Sequence, residues 1–173
     1  DRDAAEAHCQ AARALQQLGR SPARVGHHLV KGGDAPAAVP WLLRAAETEA
    51  AHGAYRDALG TLDRIAPAVE GADRSRLLSL RADLLSACGD LGAVDAYRAA
   101  LAEAAVDDRP RLLTRLARAA TSAGDLDTAE LALAEVELDG SDNDPDLPLA
   151  RGNLAFIQQD YSAASAGSSS TSS

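Results

Sequence analysis

The chain has 173 residues, a formal net charge of −9 and a pI near 4.8, with 46% hydrophobic but only 3% aromatic residues. A globally acidic chain opposes the counterion release that drives duplex binding, so direct nucleic-acid binding is not expected. No apolar run approaches the length that spans a bilayer, and no signal peptide is visible.

The two cysteines, Cys9 and Cys88, are too distant to form a CxxC site and suit a reduced, cytoplasmic compartment. The chain contains no Met and opens on Asp1, and Lys31 is its lone lysine. It therefore reads as a piece of a longer protein with a GC-rich bacterial coding bias. Ala and Leu carry the packing, and segments rich in them favour helix. No run of alternating Val, Ile, Thr or aromatic residues argues for a strand, so the expected class is all-α.

Residues 2–18 read as a first helix, with Ala5, His8, Cys9, Ala12, Leu15 and Leu18 on one face. Gly19 closes it. Ser21-Pro22 then supplies an N-cap and a first-turn proline for a second helix over 22–31, ended by Gly32-Gly33-Asp34. A third helix spans about 37 to His52. Pro40 falls near its first turn, where the backbone N–H has no intrahelical partner to lose.

From there a small residue, seven positions and a helix-breaking turn recur. The turns His52-Gly53-Ala54-Tyr55, Cys88-Gly89-Asp90-Leu91, Ala123-Gly124-Asp125-Leu126 and Gln159-Asp160-Tyr161 are spaced 35 to 36 residues apart. A fixed period in that range marks stacked helix-turn-helix units. The expected pairs are 37–52 with 55–67, 74–88 with 91–105, 109–123 with 127–138, and 147–159 with a stub from Tyr161. Ala46, Ala82, Ala117 and Gly152 precede the anchors by seven, and Ala58, Val94, Ala129 and Ala164 follow by five. All are small enough for two helices of a hairpin to approach closely, while Leu62, Leu101 and Leu133 fill larger positions. Asp73, Asp108 and Asp127 serve as N-caps or first-turn acids, and Asp127 with Glu130 has capping-box spacing.

These positions resemble the tetratricopeptide repeat, which pairs a small residue in its first helix with Gly-(Asp/Asn)-(Tyr/Leu)-x-x-Ala at the turn. The match rests on Ala46/Gly53/Tyr55/Ala58, Ala82/Gly89/Leu91/Val94, Ala117/Gly124/Leu126/Ala129 and Gly152/Tyr161/Ala164, and covers roughly residues 37–165. It departs from the pattern at Val94, at Gln159 and in lacking a closing proline; a generic Ala-rich helical bundle is the alternative. The resemblance implies an all-α, right-handed α-α superhelix of antiparallel helix hairpins. Its parts are N-terminal helices over 1–34, repeats over 35–161 and a flexible Ser-rich tail over 162–173.

A second resemblance covers the front half, through His8, Ala12, Leu15, Gly19, Pro22, Val25, His27-His28-Leu29, Gly33-Asp34, Ala38, Trp41-Leu42 and Arg44-Ala45-Ala46. It is similar to the segment after the ATPase module in LuxR-type large ATP-binding transcriptional regulators. There the stretch leads into a helical-repeat sensor arm, which implies the same role here.

Catalytic motifs are lacking. Lys31-Gly32-Gly33 has the wrong order for a phosphate-binding loop, and neither GxSxG nor HExxH occurs. Adjacent His27 and His28 point about 100° apart on a helix and cannot share a ligand face, so a histidine packed between the first helices is expected instead of a metal site. Asp142-Asn143-Asp144-Pro145 lacks the Gly and distal Glu of a calcium loop. No cofactor is expected, and no enzymatic activity.

In tetratricopeptide arrays the first helix of each pair lines the concave face. That carry-over places Glu47, Arg76, Ser79, Asp83 and Ser86 there, then Arg111, Thr114, Arg115, Arg118, Thr121 and Ser122, and finally Asn153, Phe156 and Ile157. Arg111, Arg115 and Arg118 fall at i, i+4 and i+7, forming one guanidinium stripe suited to carboxylates. The expected partner is a protein or peptide with acidic groups, or an adjoining domain of the full protein. The alternatives are a solvated face whose arginines pair with Asp83 or Asp108, a small-molecule sensor, and self-association into a homo-oligomer through the C-terminal helices.

Overall fold

The structure, a computed structural model, describes residues 2–138 and 144–168. Among them the chain is all-helical, with no strand. Two compact units emerge, Asp1–Asp90 and Leu91–Ser173.

The first unit holds α1 (Arg2–Gln17), α2 (Pro22–Lys31), α3 (Ala35–Ala51), α4 (Tyr55–Ile65) and α5 (Gly71–Ala87), with a 3-10 turn at Ala66–Ala68. Each helix packs on the next, and α3 also meets α5. Ala12 of α1 and Val25 and Leu29 of α2 join Leu42, Leu43, Ala46 and Leu62 in one apolar cluster. Residues of α1 and α2 thus share one core with those of α3 and α4. Leu18, expected on the buried face of α1, is 66% exposed because the helix ends at Gln17.

The second unit holds α6 (Ala93–Glu103), a 3-10 turn at Val106–Asp108, α7 (Arg109–Ala123), α8 (Leu126–Leu138) and α9 (Leu147–Ser168). Its centre is α7, which packs against α6, α8 and α9. Leu112, Leu113, Leu116, Ala117 and Ala120 of that helix are buried, as are Leu133 and Val136 of α8.

One closure ends five helices. Gly19, Gly33, Gly53, Gly89 and Gly124 adopt left-handed φ values between 59° and 82°, a region open to Gly without the Cβ penalty. In each, the glycine N–H bonds the carbonyl three residues back, and the next N–H bonds the carbonyl five back. Examples are Gly89 to Ser86 with Asp90 to Leu85, and Gly124 to Thr121 with Asp125 to Ala120. These bonds satisfy carbonyls that the helix end leaves open.

Pro40 does not break α3; the helix begins at Ala35, with Pro36 in its first turn, and continues through Pro40 to Ala51. Asp34 caps it by accepting the Ala37 N–H at 3.1 Å.

Of the two roles expected for Asp127, the structure gives it the first-turn acid of α8, while the cap is Asp125, whose Oδ1 accepts the Thr128 N–H at 3.2 Å. One local expectation is corrected. The anticipated turn at Gln159-Asp160-Tyr161 is helix: α9 runs unbroken from Leu147 to Ser168, through the start of the expected Ser-rich tail. No glycine stands at 159, and Gln159, Asp160 and Tyr161 carry no barrier to helix comparable to a left-handed glycine or a proline. Residues 169–173 lie outside the described residues.

Candidate functional site

The residues expected to face a partner lie on α3 and α5 in the first unit and on α7 and α9 in the second. On α5, Arg76 is already engaged within its unit: its Nε and Nη2 both donate to Glu47 Oε1 of α3, at 2.9 and 2.5 Å. Both side chains are partly exposed, 48% and 40%, so solvent screening keeps the pair weak, of order 0–1 kcal/mol. Ser79 is half-buried and donates its hydroxyl to the Ser75 carbonyl at 2.9 Å. Asp83 is half-buried and engaged as well. The expected residues of α5 are therefore largely engaged already.

On α7 the arginine stripe divides into three fates. Arg111 is exposed and, among the described residues, bonded to no partner. Arg115 is half-buried and engaged. Arg118 lies 3.5 Å from Asp146 Oδ2, at the entry to α9. The expected acidic partners Asp83 and Asp108 are not the ones that meet Arg118.

Thr114 was expected on the presented face and is instead completely buried. It sits between Leu113 and Leu116 on the apolar side of α7, where its hydroxyl donates to the Pro110 carbonyl at 3.0 Å. Thr121 behaves alike, donating to the Ala117 carbonyl at 2.8 Å. A threonine that bonds its own helix can enter an apolar face at little cost, because its polar group keeps a partner.

On α9, Asn153 and Phe156 are exposed, Phe156 by 67%, and Leu149, about two turns back, by 53%. With Leu131 and Leu138 exposed on α8, the unit presents several large apolar side chains to solvent.

Sequence reading missed three features. Arg109 joins elements of the second unit, donating to Leu101 O at 3.1 Å and pairing with Glu135 at 2.7 Å. A hollow of about 240 Å³ in the first unit is lined by Ser21, Pro22, Thr48, Glu49, His52 and Ala54. Within it His52 Nδ1 sits 2.6 Å from the Thr48 carbonyl, which can only accept. That nitrogen therefore carries a proton. Third, the histidine expected between the first helices has a histidine for its partner, a pairing not foreseen: the His8 and His28 Nδ1 atoms are 2.9 Å apart. The signals were present as residue types but not as contacts.

Among the described residues, no group of three or more His, Cys, Asp or Glu side chains gathers as a metal site would require. Asp142 and Asn143 lie outside the described residues; Asp144 Oδ1 accepts the Asp146 N–H at 3.0 Å and so shapes the start of α9. No described helix is long and apolar enough to cross a membrane. Compared with protein-family models, curated proteins and solved structures, the chain has no match.

Proposed function

We propose that the chain is a non-enzymatic interaction and regulatory arm built of tetratricopeptide-like hairpins, of the kind that LuxR-type ATP-binding transcriptional regulators carry. The observation behind this reading is a threefold recurrence. Ala46, Ala82 and Ala117 are each fully buried; the left-handed Gly53, Gly89 and Gly124 follow seven residues later with the same closing bonds; and Ala58, Val94 and Ala129, five further on, are buried again. A unit repeated at this period buries its apolar side on its neighbours and leaves the other side for a partner. The fourth unit departs from the pattern, with Gly152 exposed and no turn after it.

The partner we propose is an acidic peptide segment, with Arg111 as the first contact. Its guanidinium is exposed and has all its donors to offer, whereas Arg118 already answers Asp146. The test is fluorescence polarisation with labelled peptides ending in Asp/Glu-rich sequences, at low and high salt. Replacing a charge-assisted bond by Ala should weaken binding about tenfold in Arg111→Ala, and less in Arg118→Ala. Binding that is absent, or unchanged in Arg111→Ala, discards the acidic-peptide reading and transfers the weight to a small-molecule sensor.

A further inference from the structure

We propose that the contact between His8 of α1 and His28 of α2 is an acid-operated clasp, which holds α1 on α2 at neutral pH and releases it when both rings are protonated. The two Nδ1 atoms are 2.9 Å apart, and the ring centroids are 5.0 Å apart with planes tilted by 51°. A hydrogen bond between two imidazole nitrogens needs one donor and one acceptor, so at least one Nδ1 must be bare. When both rings are charged, two N–H donors and two positive charges face each other at that distance. The bond is then lost and repulsion replaces it.

The surroundings sharpen this response. His27 stands edge-on to His28, with centroids 5.9 Å apart, and Arg24 and Lys31 flank it on the same helix. From α1 the group acting on His28 is His8. The other charged residues of α1 are Arg2, Asp3, Glu6 and Arg13, and those of α3, which also packs on α2, are Arg44, Glu47 and Glu49, with Asp34 as its cap; none of them is among the groups that shift the His28 pKa. Partial burial first, then His8, His27, Arg24 and Lys31, hold the His28 pKa below its usual 6.5. Among the described residues, the groups acting on His28 are therefore all histidine, arginine or lysine.

The other ties of α1 are modest. Ala12 is the one residue of that helix that is buried; Ala5, His8, Cys9, Ala11 and Leu15 are half-buried, and the Cys9 thiol donates to the Gly32 carbonyl at 3.7 Å. Near the histidines the helices approach so closely that a Cβ at Gly32 would fall 2.6 Å from Cys9 Sγ. A helix with so few apolar contacts opens at low free energy, which places its docking within reach of a single titration.

The sign follows from linkage. The docked ring titrates below 6.5 and the released ring near it. Docking is therefore at full strength above that pH and weakens as pH falls through the docked value. Each pH unit over which the released form holds one more proton costs the docked form up to about tenfold.

Hydrogen exchange of residues 2–17, followed by mass spectrometry at pH 7 and pH 5 and corrected for intrinsic rates, tests the clasp, with α7 as the internal reference. We expect α1 to lose protection at pH 5 by several-fold more than α7, and His28→Gln, which cannot titrate, to lose that difference. Equal behaviour of α1 and α7 in the natural sequence overturns the proposal, as does an undiminished pH effect in His28→Gln. Should His28→Gln leave α1 unprotected at both pH values, His8→Gln and the comparison within the natural sequence decide the outcome in the same way.

Discussion

Thr61 Oγ1 donates to Glu49 Oε2 at 3.0 Å across the α3–α4 hairpin, and the same oxygen accepts from Arg64 Nη2 at 2.9 Å. Thr61 is 2% exposed, so a buried hydroxyl links an acid and a base that reach toward solvent from opposite helices. Thr61→Val keeps the shape but strands both partners beside an apolar methyl. Stability should fall by about 1–3 kcal/mol, read as a lower urea midpoint with an unchanged slope.

Two glycines in helices should respond to alanine with opposite signs. At Gly26 a Cβ would fall 2.4 Å from Cγ of buried Leu42, so Gly26→Ala forces α2 and α3 apart and should cost about 1–3 kcal/mol. At Gly60 nothing lies within 4 Å of that position, and Gly60→Ala should stabilise α4 by about 0.5–1 kcal/mol through helix propensity. Thermal melts of the two single variants check both signs.

Asp125 links α8 to pH. Hydrogen bonds from the side chain and backbone N–H of Thr128 hold its pKa below the usual 3.8, assisted by Arg98 and opposed by partial burial. A carboxylate depressed in the folded state contributes stability that is present above 3.8 and is lost as pH falls through the folded value. Asp125→Asn still accepts from the Thr128 N–H but cannot titrate. The difference in melting temperature between the natural sequence and this variant should therefore shrink or reverse between pH 5 and strong acid, as a pH series of melts would record.

The second turn position offers a backbone test. Gly124 has φ 80°, a region that costs a residue with a Cβ about 1–2 kcal/mol, so Gly124→Ala should lower stability by that amount. Gly152→Ala, on an exposed and regularly helical stretch of α9, should not. A matched pair of denaturant titrations separates the turn glycine from the glycine that the repeat pattern puts at a small-residue position inside a helix.

Helix identities were legible because punctuation and pattern agreed. For α7 the expected span 109–123 is the one observed, since Pro110 opens it and Gly124 closes it. For α9 the period demanded a turn, yet Gln159 lacks the chemistry that stops a helix, and local propensity won. At the candidate surface, Arg111 was legible as an exposed base. Thr114 was not, because a side chain bonded to its own helix shows no such intent in sequence. The Arg118–Asp146 and His8–His28 contacts join residues far apart in the chain, and only packing of whole helices brings such groups together.

The scarcity of aromatic residues leaves the chain with a natural optical division of labour. Trp41 is the single tryptophan, half-buried against the apolar cluster of the first unit with the Arg44 guanidinium 5.9 Å above its ring. Tyr97, 3% exposed, lies in the core of the second. Emission excited selectively at the indole therefore follows events in residues 1–90 alone, while far-ultraviolet dichroism averages over every helix. If the two traces separate on heating, the units melt as independent cooperative bodies, and the chain carries the dye needed to see it.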